Sequence, residues 1–444
     1  MRARTNAYDL FFHFSSLVTD VSPQLGARVL DGLLMPVAGS SLLSKWMLKR
    51  MQKQLSAAKK IKKILVVGDL NIGDAVIVQS GITALHELFP RVQIDYVIKE
   101  SARNIIEGNP FVSNLFPVYQ GAPTPSEQDI AKLLSIVQDG AYDLIMDFSP
   151  LIDSGLFEDY AQAVVDFSPM AAEMMRNEKD PNGISNVIYQ GYVYILNLFA
   201  QDVPNHESHS SDGVGVYLSD EAIERAVNFI SDAGIALGDK IILINPDAST
   251  QFTRMPFEVQ SELLKSLTDL DCKILLGAGQ VERLIEEKLL SSIPRLNRRK
   301  VTVVPREIPL DTYAAFVDAS DVFISGDTGP LHIAAARKYS RTGRYEMRNH
   351  TAVVSIFGST PSRIYGYDSG RTNFFAANQD ALSRVYIAPS PCRNITCINK
   401  AAKTCSRVRC FDNLNIRGIV SDIKTYLDTI ENFTQIESKK VYAK

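Results

Sequence analysis

Two stretches far apart in the chain share one design: a short apolar strand runs through a loop bearing glycine and aspartate into a helix. The first is Lys62-Lys63-Ile64-Leu65-Val66-Val67-Gly68-Asp69-Leu70-Asn71-Ile72-Gly73-Asp74-Ala75-Val76. The second runs from Asp321-Val322-Phe323-Ile324-Ser325 through Gly326-Asp327-Thr328-Gly329-Pro330-Leu331-His332 into Ile333-Ala334-Ala335-Ala336. Strand, loop and helix in that order are the repeating unit of a parallel, doubly wound sheet, whose ligands bind at the carboxyl ends of the strands. In the second stretch the backbone amides of the turn point, with the helix dipole, at whatever binds there. Amides for a phosphate and a carboxylate for sugar hydroxyls together point to a nucleotide-sugar site. Ordinary βα punctuation, with Asp327 or Thr328 as N-cap, reads the same residues equally well.

The first loop is not the dinucleotide fingerprint, because Gly68 and Gly73 do not fit G-x-G-x-x-G. It carries Asp69 and Asp74 instead, and Asp74 either faces a ligand or caps the helix it opens. That helix runs through about Phe89, followed by a strand at Gln93–Ile98; another buried strand is expected at Tyr142–Phe148, and a helix at Val187–Phe199. Farther on the alternation is regular. Strands are expected at Lys240–Asn245, Cys272–Gly277, Val301–Val304, Asp321–Ser325 and Ala352–Phe357. Helices are expected at Asp220–Gly234, Pro256–Leu270, Val281–Leu290, Leu310–Ala319 and Ile416–Asn432.

At 444 residues the chain exceeds one core. We divide it into a helical N-terminal extension at 1–60, a Rossmann-like domain at 61–214 and a second at 215–444, with a polar linker around Asp202–Gly215. A net charge of -3 gives no basic footprint for nucleic acid. No apolar run approaches a membrane span, and no cleavable signal stands out. In the extension, Lys45, Lys49, Arg50, Lys53, Lys59, Lys60, Lys62 and Lys63 form a basic cluster. It suits either peripheral contact with anionic lipid or a solvated face on a packed helix.

The two aspartate-bearing stretches resemble glycosyltransferase family 9, the ADP-heptose heptosyltransferases of bacterial lipopolysaccharide synthesis and their relatives. Ile72-Gly73-Asp74 is similar to the family's N-terminal motif, and Asp327 to His332 to its Asp-Thr-Gly-Pro-x-His. Asn245-Pro246-Asp247-Ala248-Ser249-Thr250 looks like its Asn-Pro-Gly-Ala-Ser turn; Glu107–Val112 and Ile356–Pro361 look like further family segments. The resemblance spans about Lys62 to Val420 and implies the GT-B architecture: two doubly wound Rossmann-like domains facing across a cleft. It also implies inverting, metal-independent transfer of a sugar, heptose from ADP-heptose, onto a lipopolysaccharide-type or other glycan or lipid-linked acceptor. The expected place is the cytoplasm, peripherally on the inner face of the bacterial inner membrane.

By that resemblance Asp74 is the general base. Asp327 holds sugar hydroxyls, Thr328 and Gly329 approach the diphosphate through their amides, and His332 either contacts phosphate or packs. Ser249 and Thr250 stand ready for phosphate oxygens, and Glu282 falls where a family acid meets the ribose. Asp69, Asn71 and Gly73 are assigned to acceptor contact or to structure. Relatives read Lys-Arg-Trp-Pro or Lys-His-Trp-Pro where this chain has Thr253-Arg254-Met255-Pro256. Arg254 is the candidate to replace the lost lysine, since a guanidinium grips phosphate bidentately.

Four of the five cysteines fall in one run, Cys392, Cys397, Cys405 and Cys410, at spacings wider than the usual zinc pairs. Similar tails in the family imply a structural metal there, iron or zinc, with no cofactor needed for catalysis; four thiols or a disulfide are the alternatives. Three other readings stay open. One is a transferase using another nucleotide sugar on capsule glycan or protein, which the Thr253 departure favours. The others are a two-sheet nucleotide-sugar epimerase and a non-catalytic GT-B scaffold.

Overall fold

The computed structural model describes residues 61–68, 71–119, 125–149, 154–166, 216–248, 253–277, 285–337, 351–358, 362–367, 383–389 and 408–441, with single positions near 49–55, 191–199 and at 360. The expected helices at 1–60 and Val187–Phe199, and the linker near Asp202–Gly215, lie almost wholly outside these.

The first sheet contains β1 (Lys63–Val67), β2 (Gln93–Lys99), β3 (Asn114–Tyr119), β4 (Leu144–Asp147) and β5 (Ala163–Asp166) in the order β3-β2-β1-β4-β5, every pair parallel. The second contains β6 (Ile241–Asn245), β7 (Lys273–Gly277), β8 (Val301–Val304), β9 (Val322–Ser325), β10 (Ala352–Phe357) and β11 (Arg384–Ile387). Its order is β11-β10-β9-β6-β7-β8, again wholly parallel. In each sheet the strand order reverses beside its first strand, and a crevice for a ligand opens at such a switch point. Among the described residues the longer helices are α1 (Ile72–Leu88), α2 (Glu127–Gly140), α3 (Asp220–Asp232), α4 (Phe257–Thr268), α5 (Ile285–Ser292), α6 (Leu310–Asp318), α7 (Gly329–Arg337) and α8 (Ile416–Val441).

The central strands follow the sequence because burial on both faces demands continuous apolar runs. Ile64, Leu65, Val66 and Val67 are all inaccessible, as are Ile242, Leu243, Val322, Phe323 and Ile324. The strands that patterning missed, β3, β5 and β11, are all sheet edges. Edge strands are half solvated and need no continuous apolar run, and β3 even carries Pro117, which an interior strand would not tolerate. Helix α2 was legible but overlooked: Ser126 and Asp129 form a reciprocal capping box at its start.

Helix α1 is buried almost all round. Every residue from Ala75 to Leu85 is buried, which requires neighbours on several sides. One of those neighbours is α7, from the second sheet. The N-termini of the two helices meet at Gly73 and Gly329, with the His332 and Ile72 side chains packed against the two glycines. A Cβ on Gly73 would lie 2.8 Å from His332 Cδ2 and 3.3 Å from Gly329 Cα; one on Gly329 would lie 3.2 Å from Ile72 Cβ. The small side chains of Ala334, Ala335 and Ala336 continue the close approach, and a single apolar cluster runs from Ile64, Val66 and Ile98 through to Leu331, Phe357 and Tyr367. The short helix Arg103–Ile106 adds a second bridge by touching α6.

Helix α8 packs on the second sheet: Ile419, Ile423, Tyr426 and Leu427 lie in one cluster with Leu263, Leu264 and Leu267 of α4. Lys240 and Asp428 lie 4.0 Å apart beside it.

Replacing Gly329 by Ala inserts a methyl group where Ile72 already sits. We expect Gly329→Ala to lose about 1–3 kcal/mol of stability, read from the denaturant midpoint.

Candidate functional site

Three loops converge at the carboxyl edges of the two sheets: those after β1, after β6 and after β9. Asn71 stands at the N-cap of α1 without a capping side-chain bond. Its Oδ1 instead accepts from Lys99 Nζ at 3.4 Å, from the end of β2. Asp74, in the first turn of α1, is exposed. Beneath it Tyr96 is fully buried in β2, and burial, with the Asp74 charge adding to it, pushes its phenol far above the ordinary range.

On the opposite side the β9–α7 turn is tied to the β6 turn by one amide. Asn245 Nδ2 donates to the Asp247 carbonyl at 2.9 Å, to Ser325 Oγ at 3.1 Å and to Thr328 Oγ1 at 3.2 Å, while the two hydroxyls lie 2.8 Å apart. Adjacent registry explains the meeting, since Asn245 pairs directly with Ser325 across β6 and β9. Gly326 is required here: a Cβ would lie 2.7 Å from the Thr253 carbonyl oxygen. Gln260 of α4 pins the other flank, donating to the carbonyls of Pro246 at 2.9 Å and Met255 at 2.6 Å. The result is a rigid floor at the N-terminus of α7, the end that attracts anions.

Arg254 lies in this floor as an ion pair. Its Nε is 2.8 Å from Asp247 Oδ1, and its Nη2 donates to the Ala248 carbonyl at 3.1 Å.

His332 is buried in the seam between the two helices. Its Nδ1 is 2.7 Å from the Tyr367 hydroxyl and its Nε2 is 3.7 Å from Asp327 Oδ1, with Tyr365 and Tyr367 edge-on to the ring. Burial, reinforced by the Asp327 charge, raises the Tyr367 phenol well above its usual range, so it stays protonated. A protonated phenol both donates and accepts, so the tautomer of His332 decides the direction of the Tyr367 bond: with the proton on Nε2, facing Asp327, the phenol donates to Nδ1.

The described residues thus bring together Asn71, Gly73, Asp74, Arg254, Asp327, Thr328, Gly329 and His332 at one edge. Asp69, Ser249, Thr250 and Glu282 lie outside them, as do Cys392, Cys397 and Cys405. Cys410 is buried beside Phe411 and Gly358. Glu286, in the first turn of α5, is the described acid nearest in sequence to Glu282, and it is ion-paired with Arg306. Tyr367, Lys99, Gln260 and Asn245's bridging role went unread from sequence, because each acts across elements 14 to 83 residues apart.

Against known proteins, the model of glycosyltransferase family 9 (heptosyltransferase) matches residues 130–403. The chain belongs to glycosyltransferase family 9. The matched stretch holds the Asn245 turn and the Asp327 motif, while the Asp74 loop precedes it. A family 9 glycosyltransferase structure from Veillonella parvula superposes with a TM-score of 0.62 at 16% identity, over 83% of this chain and 99% of that one. An Escherichia coli ADP-heptose lps heptosyltransferase II gives 0.55, also at 16% identity with the same shares. A Haemophilus influenzae protein described as a glycosyltransferase is 21% identical over 291 residues, 64% of this chain and 82% of its own. The fold is that of GT-B heptosyltransferases, and the protein is a glycosyltransferase of heptosyltransferase type.

Tyr367→Phe removes the hydroxyl that meets His332 Nδ1 in a buried seam. Stability should fall by about 1–2 kcal/mol on chemical denaturation, and the His332 imidazole nitrogen resonances should move as its tautomer preference is released.

Proposed function

We propose that this protein is an inverting transferase that moves a sugar from a nucleotide diphosphate sugar, ADP-heptose foremost, onto a lipopolysaccharide-type or other glycan acceptor. The observation that carries the reading is the meeting of the two helix N-termini. Exposed Asp74 opens one and the Asp327 turn opens the other, and Gly73 and Gly329 let the two ends approach.

In this scheme Asp74 takes the proton from an acceptor hydroxyl as its oxygen attacks the anomeric carbon. The new glycosidic bond forms on the face opposite the breaking bond to phosphate, and the nucleoside diphosphate departs with the electron pair. The amides of Thr328 and Gly329, at the positive end of α7, meet the growing negative charge on the leaving group. Asp327 accepts from the sugar hydroxyls, and His332, held by Tyr367, keeps Asp327 in place. Ser249 and Thr250 add phosphate contacts, Glu282 a ribose contact, and Asp69 and Asn71 acceptor-side contacts. The heptose donor is supported by the fold shared with an Escherichia coli ADP-heptose lps heptosyltransferase.

Among the described residues no helix is long and apolar enough to cross a membrane. A cytoplasmic enzyme reaching a lipid-linked acceptor from the membrane face, with the basic extension as its contact, fits the proposal. The four-cysteine run would serve structure alone.

A second reading, transfer from another nucleotide sugar, is favoured by one observation: Arg254, the cation of the donor turn, is already paired with Asp247. Melting curves against ADP, UDP, GDP and their sugars separate the readings. A ligand at 100 times its Kd stabilises by about 2.7 kcal/mol. A shift with ADP species supports the heptose donor, a shift with UDP or GDP species alone replaces it, and none at all supports a non-catalytic scaffold. With the responding donor, Asp74→Asn should lower kcat by about 10²–10⁴-fold while leaving donor binding intact; normal turnover would remove Asp74 from the role of base.

A further inference from the structure

We propose that Asp247 sets the strength and charge character of donor binding by neutralising Arg254. The inference rests on the nucleotide-sugar reading above and concerns a residue that reading leaves unassigned.

Between Pro246 and Pro256 the chain contains one cation, Arg254, and one anion, Asp247. Six residues separate them in sequence, yet the two side chains meet. Arg254 Nε lies 2.8 Å from Asp247 Oδ1, and the other end of the turn is fixed by the Ala248 amide donating to the same Oδ1 at 2.8 Å. The two partners differ in their access to water. The Asp247 side chain is 1% exposed, whereas Arg254 is 19% exposed. The acid therefore cannot recover its hydration if the guanidinium swings away, and a buried carboxylate stripped of its partner is strongly disfavoured. The base can reach outward, but only while it stays on Asp247.

The location gives this pair its consequence. The Asp247 carbonyl accepts from the same Asn245 amide that holds Thr328 at the start of α7. A diphosphate seated at that helix end meets Arg254 and Asp247 together. Attraction to one is offset by repulsion from the other at similar range. Donor affinity in this protein then comes from amides and hydroxyls, and depends only weakly on ionic strength. In the family pattern a glycine occupies the place of Asp247, so this chain has both lost the usual lysine and compensated the arginine that stands next to it. The two departures act in the same direction.

The test is titration calorimetry with ADP and with inorganic pyrophosphate, at low and high salt, on the wild-type protein, Asp247→Asn and the double variant Asp247→Asn/Arg254→Gln. Melting curves without ligand establish that each is folded, and the double variant removes both charges of the pair together. Asp247→Asn should bind both probes about tenfold more tightly at low salt, with a steeper loss of affinity as salt rises. The double variant should lose that gain and its salt dependence. A folded Asp247→Asn protein whose affinity and salt dependence equal the wild type's, or whose binding is weaker, overturns the inference and leaves Asp247 as a turn-former only. If neither probe binds any of the three proteins, the diphosphate site at α7 on which the inference rests is absent and the inference fails; binding of ADP or pyrophosphate with no difference among the three proteins overturns the inference alone.

Discussion

Gly73 and Gly329 let the N-termini of α1 and α7 meet at backbone distance, and the candidate site depends on that contact. Each helix brings an aspartate in or beside its first turn and a set of amides whose partial charge favours anions. Neither end suffices for transfer chemistry. In the proposed scheme an acceptor-side base and a leaving-group cradle face one anomeric carbon, and they come from separate sheets. A Cβ at Gly73 would lie 2.8 Å from His332 Cδ2 and one at Gly329 3.2 Å from Ile72 Cβ, so a side chain at either glycine forces its neighbour to shift. The alanines of α7 and the apolar sequence around α1 extend the same approach into a shared core, so the seam is built by packing rather than by a few polar contacts.

The polar groups in the seam have a different task, to hold the loops in one shape. Asn245 joins the β6 and β9 turns, Gln260 ties the far flank, and Tyr367 orients His332. A buried amide or hydroxyl with satisfied partners is costly to displace, which makes such a floor stiff. Stiffness at the phosphate end matters because preorganised dipoles stabilise a departing diphosphate without rearranging. The pairing of Arg254 with Asp247 belongs to the same floor, and it makes that floor less positive than its one arginine suggests.

Sequence disclosed the centre of the fold and not its margins. Strands buried on both faces, such as Ile64–Val67 and Val322–Ser325, must be continuously apolar and so announce themselves. Edge strands β3, β5 and β11 need no such run, and patterning passed over them. Within the site, the loops were legible because strand-to-helix turns use glycine and aspartate at fixed places. Their supports were not. Tyr367 reaches His332 and Lys99 reaches Asn71 only after the chain has folded, and nothing in the spacing of those residues foretells the contact. The pairing of Arg254 with Asp247 is equally hidden: the sequence offers Arg254 as a phosphate cation and gives no sign of its partner in the same segment.

The central claim is that a donor nucleotide seats at the N-terminus of α7, where Gly73 of α1 packs directly against Gly329, so that its binding is felt at both helix ends; hydrogen exchange with and without ADP tests this most directly. Protection gained together in 71–76, 245–248 and 325–332, and little elsewhere, is the expected result. Protection confined to another region, or gained in the second sheet with 71–76 unchanged, would contradict a site shared between the two.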